Sequence, residues 1–291
     1  MSGTRQTLPT RPYRIANGLG ILCVDRTAQT RSVSRHEETT LADDVRKPGP
    51  IRNRILAGLP RKEYSRILPE LASVTLKSGQ VLYEPGGVMH SAYFLDTAIV
   101  SILSVAEDGT SIEVSVVGDE GVIGIPIVLR TRGLPYKIIV QAPGMAMRMK
   151  ADVLRKEFDR CGPLHKLVLH YLHTMIVVLA QSGACNRFHT IPQRLCRWLL
   201  TSQDRARSSE IQSTQELLSQ TLGANRGSAS QAASALQRAG LISYRRGRIT
   251  ILDRSGLEAA ACECYRVVKG EFDRFFTERH GGGGSVGRRG S

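Results

Sequence analysis

The residues best placed to do chemistry are a group of short polar and basic side chains in the last third of the chain. Asn225, Arg226, Ser228 and Gln231 lie within about two helical turns of one another, and Arg245, Arg246 and Arg248 follow around Gly247. These groups recognise rather than react. A guanidinium can pair with the edge of guanine and a glutamine amide with that of adenine, while further arginines grip phosphate. No nucleophile motif, paired-carboxylate arrangement or phosphate-cradling G-x-x-x-x-G-K-[ST] loop accompanies them, so no catalytic residue is expected.

Positioning such groups takes two helices and a hairpin. Ser213 or Thr214, with Glu216 close behind, can cap a helix that runs to Leu222 and stops at Gly223. Asn225 then caps a second helix, Arg226 to about Ala239, which stops at Gly240. Two helices joined by a short glycine-containing turn form a helix-turn-helix. Ala229, Ala232, Ala233 and Leu236 make a close-packing buried face for the second helix, leaving Arg226, Gly227, Ser228, Gln231 and Ser234 outward. Leu241–Tyr244 and Arg248–Leu252 alternate as strands around Arg245-Arg246-Gly247, which predicts an arginine-tipped wing. An amphipathic helix over Pro192–Gln203 supplies core, so residues 188–256 read as a winged helix-turn-helix that binds double-stranded DNA.

Upstream the pattern differs. Within residues 51–150, runs such as QVLYE, SAYFL, IVSILSV, SIEVSVV and YKIIVQ are separated by Gly and Pro/Gly turns, predicting an antiparallel β-barrel or jelly roll. Short helices around Pro60 and Pro69 precede it. Residues 151–187 read as helical, with a proline at the start of a long helix at Pro163. Val168, Leu172, Met175 and Leu179 recur on it at coiled-coil spacing and are assigned to a homodimer seam; Leu164, Leu167, Tyr171 and Val178 are assigned to the barrel. The fold class is thus α+β. Residues 1–50 lack periodicity and are expected to be a disordered extension, and 257–291 a C-terminal helix with a flexible Gly-rich tail.

The 291 residues carry 40 Lys+Arg against 26 Asp+Glu, a formal charge of +14, and the excess is largest over residues 186–279. A polyanionic partner follows. The best apolar run, Met175–Ala180, is far too short for a bilayer, and no signal-peptide core is apparent, so a cytoplasmic protein without membrane contact is expected. Six cysteines without a secretory signal predict reduced thiols. His165, His170 and His173 on the long helix read as partly exposed positions, and the C-x-C pair Cys262 and Cys264 as packing; no metal ligand is assigned.

Taken together, LKSGQVLYEPG, EDGTSIEVSVVGDEGVIG, CNRFHTIPQRLCRWLL and TQELLSQTLGANRGSASQAASALQRAGLISYRRGRITILD resemble the Crp/Fnr family of transcription regulators over about Asn53 to Asp253. The resemblance implies a sensing barrel, a dimerisation helix and a reader for a palindromic operator, with RNA polymerase as a further candidate partner. It implies phosphate contacts at Thr214 and Asn225 and base contacts at Arg226 and Gln231, while Gly227 stands where members carry a base-reading glutamate. In cyclic-AMP-binding members a glutamate and an arginine follow the glycine that corresponds to Gly124. Here Ile125 and Pro126 follow it, and no acid occurs between Glu120 and Asp152, so cyclic AMP is not the expected ligand and no cofactor is identified. Arg130, Arg132 and Lys137 are the weak candidates for an anion in the barrel. The iron–sulfur branch needs clustered cysteines, and none lies between Cys23 and Cys161. The rival reading is a sensor or scaffold protein whose degenerate barrel binds a ligand while its reader is vestigial.

Overall fold

The computed structural model describes residues 51–131 and 133–277. The expected extension over 1–50, Arg132 and the Gly-rich tail therefore lie outside the described residues. Two short helices, α1 (Arg54–Ala57) and α2 (Arg61–Ile67), lead into eight strands: β1 (Leu71–Leu76), β2 (Val81–Tyr83), β3 (Ser91–Leu95), β4 (Ile99–Val105), β5 (Ser111–Val117), β6 (Val122–Ile123), β7 (Tyr136–Ala142) and β8 (Gly144–Lys150). They form two four-stranded antiparallel sheets, ordered β1-β8-β3-β6 and β2-β7-β4-β5, as the glycine-punctuated sequence predicts. Phe94, Leu95, Val100, Ile138 and Met149 are buried between them. Asn53 pins the entering chain to this body. It is fully buried, its amide donates to the carbonyls of Leu95 (2.9 Å) and Gly121 (2.8 Å), and its Oδ1 accepts from Leu56 N (3.1 Å) to cap α1.

Gly124 opens a single helical turn, α3 (Ile125–Val128), with φ at 149°, and its Cα packs so close to Ala92 that an added Cβ would lie 2.7 Å from that methyl. Pro126, Ile127 and Val128 are buried, so this turn is a plug of core rather than a polar cradle.

Helices α4 (Ala151–Asp159) and α5 (Pro163–Phe188) follow. Leu164, Leu167 and Tyr171 are buried in the barrel core as assigned, while Val178 is buried outside that cluster. Two residues of the expected dimer seam are taken by the barrel instead: Val168 is 1% exposed and belongs to the barrel core, and the half-buried Met175 packs against that core. A 3.6-residue period places both on the face of Leu164 and Tyr171. The apolar positions left outward are Leu169 (37%), Ile176 (58%) and Leu179 (44%), with Leu172 half-buried beside them. Their 3, 4, 3 spacing is itself a coiled-coil seam. By length and composition α5 could cross a bilayer, contrary to the expectation from Met175–Ala180 alone, but one face of it is packed on the barrel.

The reader comprises α6 (Ile191–Ala206), β9 (Glu210–Gln212), α7 (Gln215–Leu222), α8 (Arg226–Arg238), β10 (Ile242–Arg245), β11 (Arg248–Ile251) and α9 (Arg254–Ala260). Leu195, Leu199, Leu218, Ala229, Ala233, Leu236, Ile249 and Leu257 form its core, so the reader extends beyond the boundary at 256. The last helix, α10 (Cys264–Thr277), is no appendage: Tyr265 joins the reader core while Phe275 is buried in the barrel core. Cys161 departs from the expected reduced state and is disulfide-bonded, whereas Cys185, Cys196, Cys262 and Cys264 are free thiols.

Candidate nucleic-acid interface

Each predicted cap forms. Thr214 Oγ1 accepts from Leu217 N at 3.1 Å, and Gly223 closes α7 in the left-handed conformation at φ 53°. Asn225 Oδ1 accepts from Ser228 N at 2.8 Å and starts α8. The alanine face of α8 is buried, which lets the helix sit close against α6 and α7. Arg226, Gly227, Gln231 and Ser234 are exposed and Ser228 is half-buried, so the outward face is the one read from the sequence.

The wing is a two-residue hairpin with both turn residues at positive φ, Arg246 at 50° and Gly247 at 75°, the geometry that matches strand twist. Sequence reading missed β9, which pairs with β11 and makes the wing a three-stranded sheet. Its only inward residue is Ile211, too little for a periodic signal. The wing is fastened to the helices by backbone and side chain alike: Ser213 N donates to Gly247 O (2.8 Å), Tyr244 Oη to Ser213 O (3.0 Å), and Tyr244 N to Gln237 Oε1 (2.7 Å).

The two elements meet in a groove lined by Thr214, Gln215, Tyr244, Arg246 and Gly247. The start of α7, where backbone N–H groups favour anions, thus lies beside an arginine. Arg245 and Arg246 are exposed and form no ion pair with any described residue. Arg226 is ion-paired with Glu216, and Arg248 with Glu210 at 3.1 Å, so each of these carries its own local counter-charge. Asn225 lies apart from the groove, in a crevice shared with the β4–β5 hairpin at Asp108–Ile112.

Two links join this reader to the barrel near Gly118–Gly121. Glu120 accepts from Arg205 Nε at 2.6 Å, and Asp119 from Arg207 Nη2 at 2.8 Å. Between β5 and α5 lies a largely apolar cavity of about 590 Å³, lined among others by Ile112, Glu113, Tyr136, Tyr171, Leu172 and Met175. Burial pushes the Glu113 carboxyl up to about 7, against the pull of the Ser101 hydroxyl, which donates to it at 2.6 Å, and of Arg205. Arg130 and Lys137 are not in this lining; they pair with Asp159 (2.7 Å) and Glu84 (3.2 Å). The three histidines of α5 do not converge: His165 meets the Phe158 carbonyl, His170 the Phe275 ring and His173 Glu271.

Residues 193–260 match the family of Crp-like helix-turn-helix domains. Among curated proteins no sequence matches the chain. Among solved structures it is similar to a transcriptional regulator of the Crp/Fnr family from Eubacterium rectale, at 16% identity over 71% of this chain and 96% of that one, with a TM-score of 0.58. It is similar to a CRP-family transcriptional regulator from Thermus thermophilus at 21% identity, covering 64% of this chain and 95% of that one, TM-score 0.55. FixK2 from Bradyrhizobium japonicum matches at 14% identity, 66% and 98% coverage and a TM-score of 0.56. The chain thus carries a Crp-like helix-turn-helix domain behind a β-sandwich and long helix, in the arrangement of the Crp/Fnr transcription regulators.

Proposed function

We infer that this chain is a sequence-specific, DNA-binding transcription regulator. The observation that carries the reading is the pairing, within one small domain, of the groove where the capped start of α7 meets Arg246 with an exposed face of α8 bearing Arg226 and Gln231. Phosphate held in the groove would set the register of α8 in a major groove. Two copies joined along Leu169, Leu172, Ile176 and Leu179 would present two such helices to half-sites about 34 Å apart, which calls for a palindromic operator. RNA polymerase is a further partner in this reading, and catalysis has no part in it. The location is the cytoplasm.

The cavity between β5 and α5 is the place for a signal. Its apolar lining and the carboxyl of Glu113 favour an uncharged ligand over a cyclic phosphate. Binding of the full chain to fragmented genomic DNA, followed over a salt series, tests the reading: affinity should fall steeply with salt, and selection from a random pool should return a palindrome. Absence of salt-dependent binding would favour the rival, a sensor whose reader is vestigial.

A further inference from the structure

Folding gathers four soft donors that lie far apart in sequence. Cys185 is in the last turn of α5, His189 follows that helix, and Cys262 and Cys264 flank Glu263 at the entry to α10. Their donor atoms all lie within 4.8 Å of one another. Cys185 Sγ and Cys262 Sγ are 3.6 Å apart, and Cys264 Sγ and His189 Nδ1 3.5 Å. A tetrahedral zinc ion with bonds of about 2.3 Å to sulfur and about 2.0 Å to nitrogen sets its ligands roughly 3.5–3.8 Å apart. The sulfurs are too far apart for a disulfide, at about 2.05 Å. They are also too close together to bind the separate irons of an iron–sulfur cluster.

The surroundings of these donors are those of a ligand set rather than of chance packing. All three cysteines are buried, at 0%, 4% and 0% exposure for Cys185, Cys262 and Cys264. His189 turns Nδ1 inward, and its Nε2 meets Glu263 Oε1 at 3.1 Å, the carboxylate–histidine arrangement that orients a metal-binding imidazole. Gln181 Nε2 donates to Cys264 Sγ at 3.0 Å, a bond suited to a thiolate. The Nε atoms of Arg194 and Arg197 are buried with no hydrogen-bond partner among the described residues, and both side chains lie close enough to Cys185 to couple to it electrostatically. Three thiolates and one dication leave a net charge of −1, which these arginines would offset.

We propose that Cys185, His189, Cys262 and Cys264 form a closed, four-coordinate structural zinc site. The C-x-C pair, assigned to packing from sequence, is on this reading half of the site; its partners lie 77 residues away in the case of Cys185 and Cys262. Binding expels the three thiol protons to water as the thiolates ligate the ion. One pair of ligands precedes the reader and the other follows it, so the ion staples the two ends of residues 191–261 together where α5 delivers the reader to DNA.

The test is metal analysis of the full chain purified reduced from zinc-supplemented cells, with cobalt substitution of the metal-stripped protein. One zinc per chain is expected, together with the intense visible bands of tetrahedral cobalt and a thiolate-to-cobalt charge-transfer band. Glu263→Gln, which touches no thiol, should weaken zinc binding by about 10–100-fold while leaving the circular dichroism unchanged. Cys262→Ser with Cys264→Ser should abolish stoichiometric binding. Wild-type protein with its thiols reduced but with less than about one zinc per ten chains, or with a cobalt spectrum lacking thiolate bands, would overturn the proposal. So would a double-serine variant that still holds one zinc.

Discussion

Glu120 of the barrel and Arg205 of the reader form a 2.6 Å ion pair in which the two side chains are 7% and 9% exposed, respectively. Almost all of its solvent has been exchanged for protein, so its energy lies less in the pair than in the penalty for breaking it. Arg205→Met should cost about 3–5 kcal/mol in urea unfolding by leaving a buried, uncompensated carboxylate, and Glu120→Gln on that background should restore most of the loss. A double variant no better than the single one would show that Arg205 acts by packing instead, for instance against Phe272.

A second prediction concerns pH. Glu113 has its carboxyl raised to about 7 in the folded chain from an ordinary 4.5, so between these values the folded state holds a proton that the unfolded state has released. The contribution to stability is therefore full below about pH 4.5, declines as pH rises, and is gone above about 7. Its span is on the order of 3 kcal/mol. Glu113→Gln should flatten this decline, so that the variant unfolds at a higher temperature than wild type at pH 8 and the gap closes at pH 5. Parallel curves would mean that Glu113 is not the titrating group.

On DNA the arginines should divide their work. Arg226→Ala should cost about 1–3 kcal/mol on the preferred operator and little on random duplex, while Arg246→Ala should weaken every duplex alike and lower the slope against salt. Anisotropy titrations on both duplexes at several salt concentrations separate these outcomes, and equal losses on both would end the distinction.

Glu216 should act in the opposite direction. Its ion pair with Arg226 is exposed, so it contributes little to stability, yet it occupies the guanidinium that base reading requires. Glu216→Gln is expected to tighten DNA binding by up to about fivefold, with the unfolding midpoint nearly unchanged. Weaker binding would instead make Glu216 an orienting partner of Arg226.

The outward seam of α5 gives a test of assembly. Ile176→Glu should convert a dimer to a monomer in light scattering, whereas Val168→Ala should leave the assembly intact and lower stability by about 2 kcal/mol through a cavity in the barrel. Dimers that survive Ile176→Glu would place the interface elsewhere.

What could be read from the sequence was whatever local chemistry decides. Thr214, Gly223, Asn225 and Gly247 each satisfy a cap or a turn with their own side chain or their lack of one, so the reader was visible before any contact was known. The sheets were visible for the same reason, through glycine punctuation. Val168 was misassigned because α5 is apolar on two faces, and a heptad pattern cannot say which face a barrel will claim. Strand β9 left no trace because a single inward residue has no period. The Cys/His group was hidden by sequence separation, since only the return of α10 along α5 brings Cys262 and Cys264 to Cys185 and His189.

That return has a bearing on how the chain comes to be folded. Proteins made from the N-terminus onward commonly complete an early domain while the next is still being synthesised. Here the barrel packs Phe275 in its interior, with Phe272 and Phe276 against it, and all three are translated after the reader. The sandwich leaving the ribosome would show an apolar notch at that spot, to be closed only once the whole reader has emerged. The two parts would therefore reach their final state together, and a ribosome stalled within the reader would display a sensor that is not yet sealed.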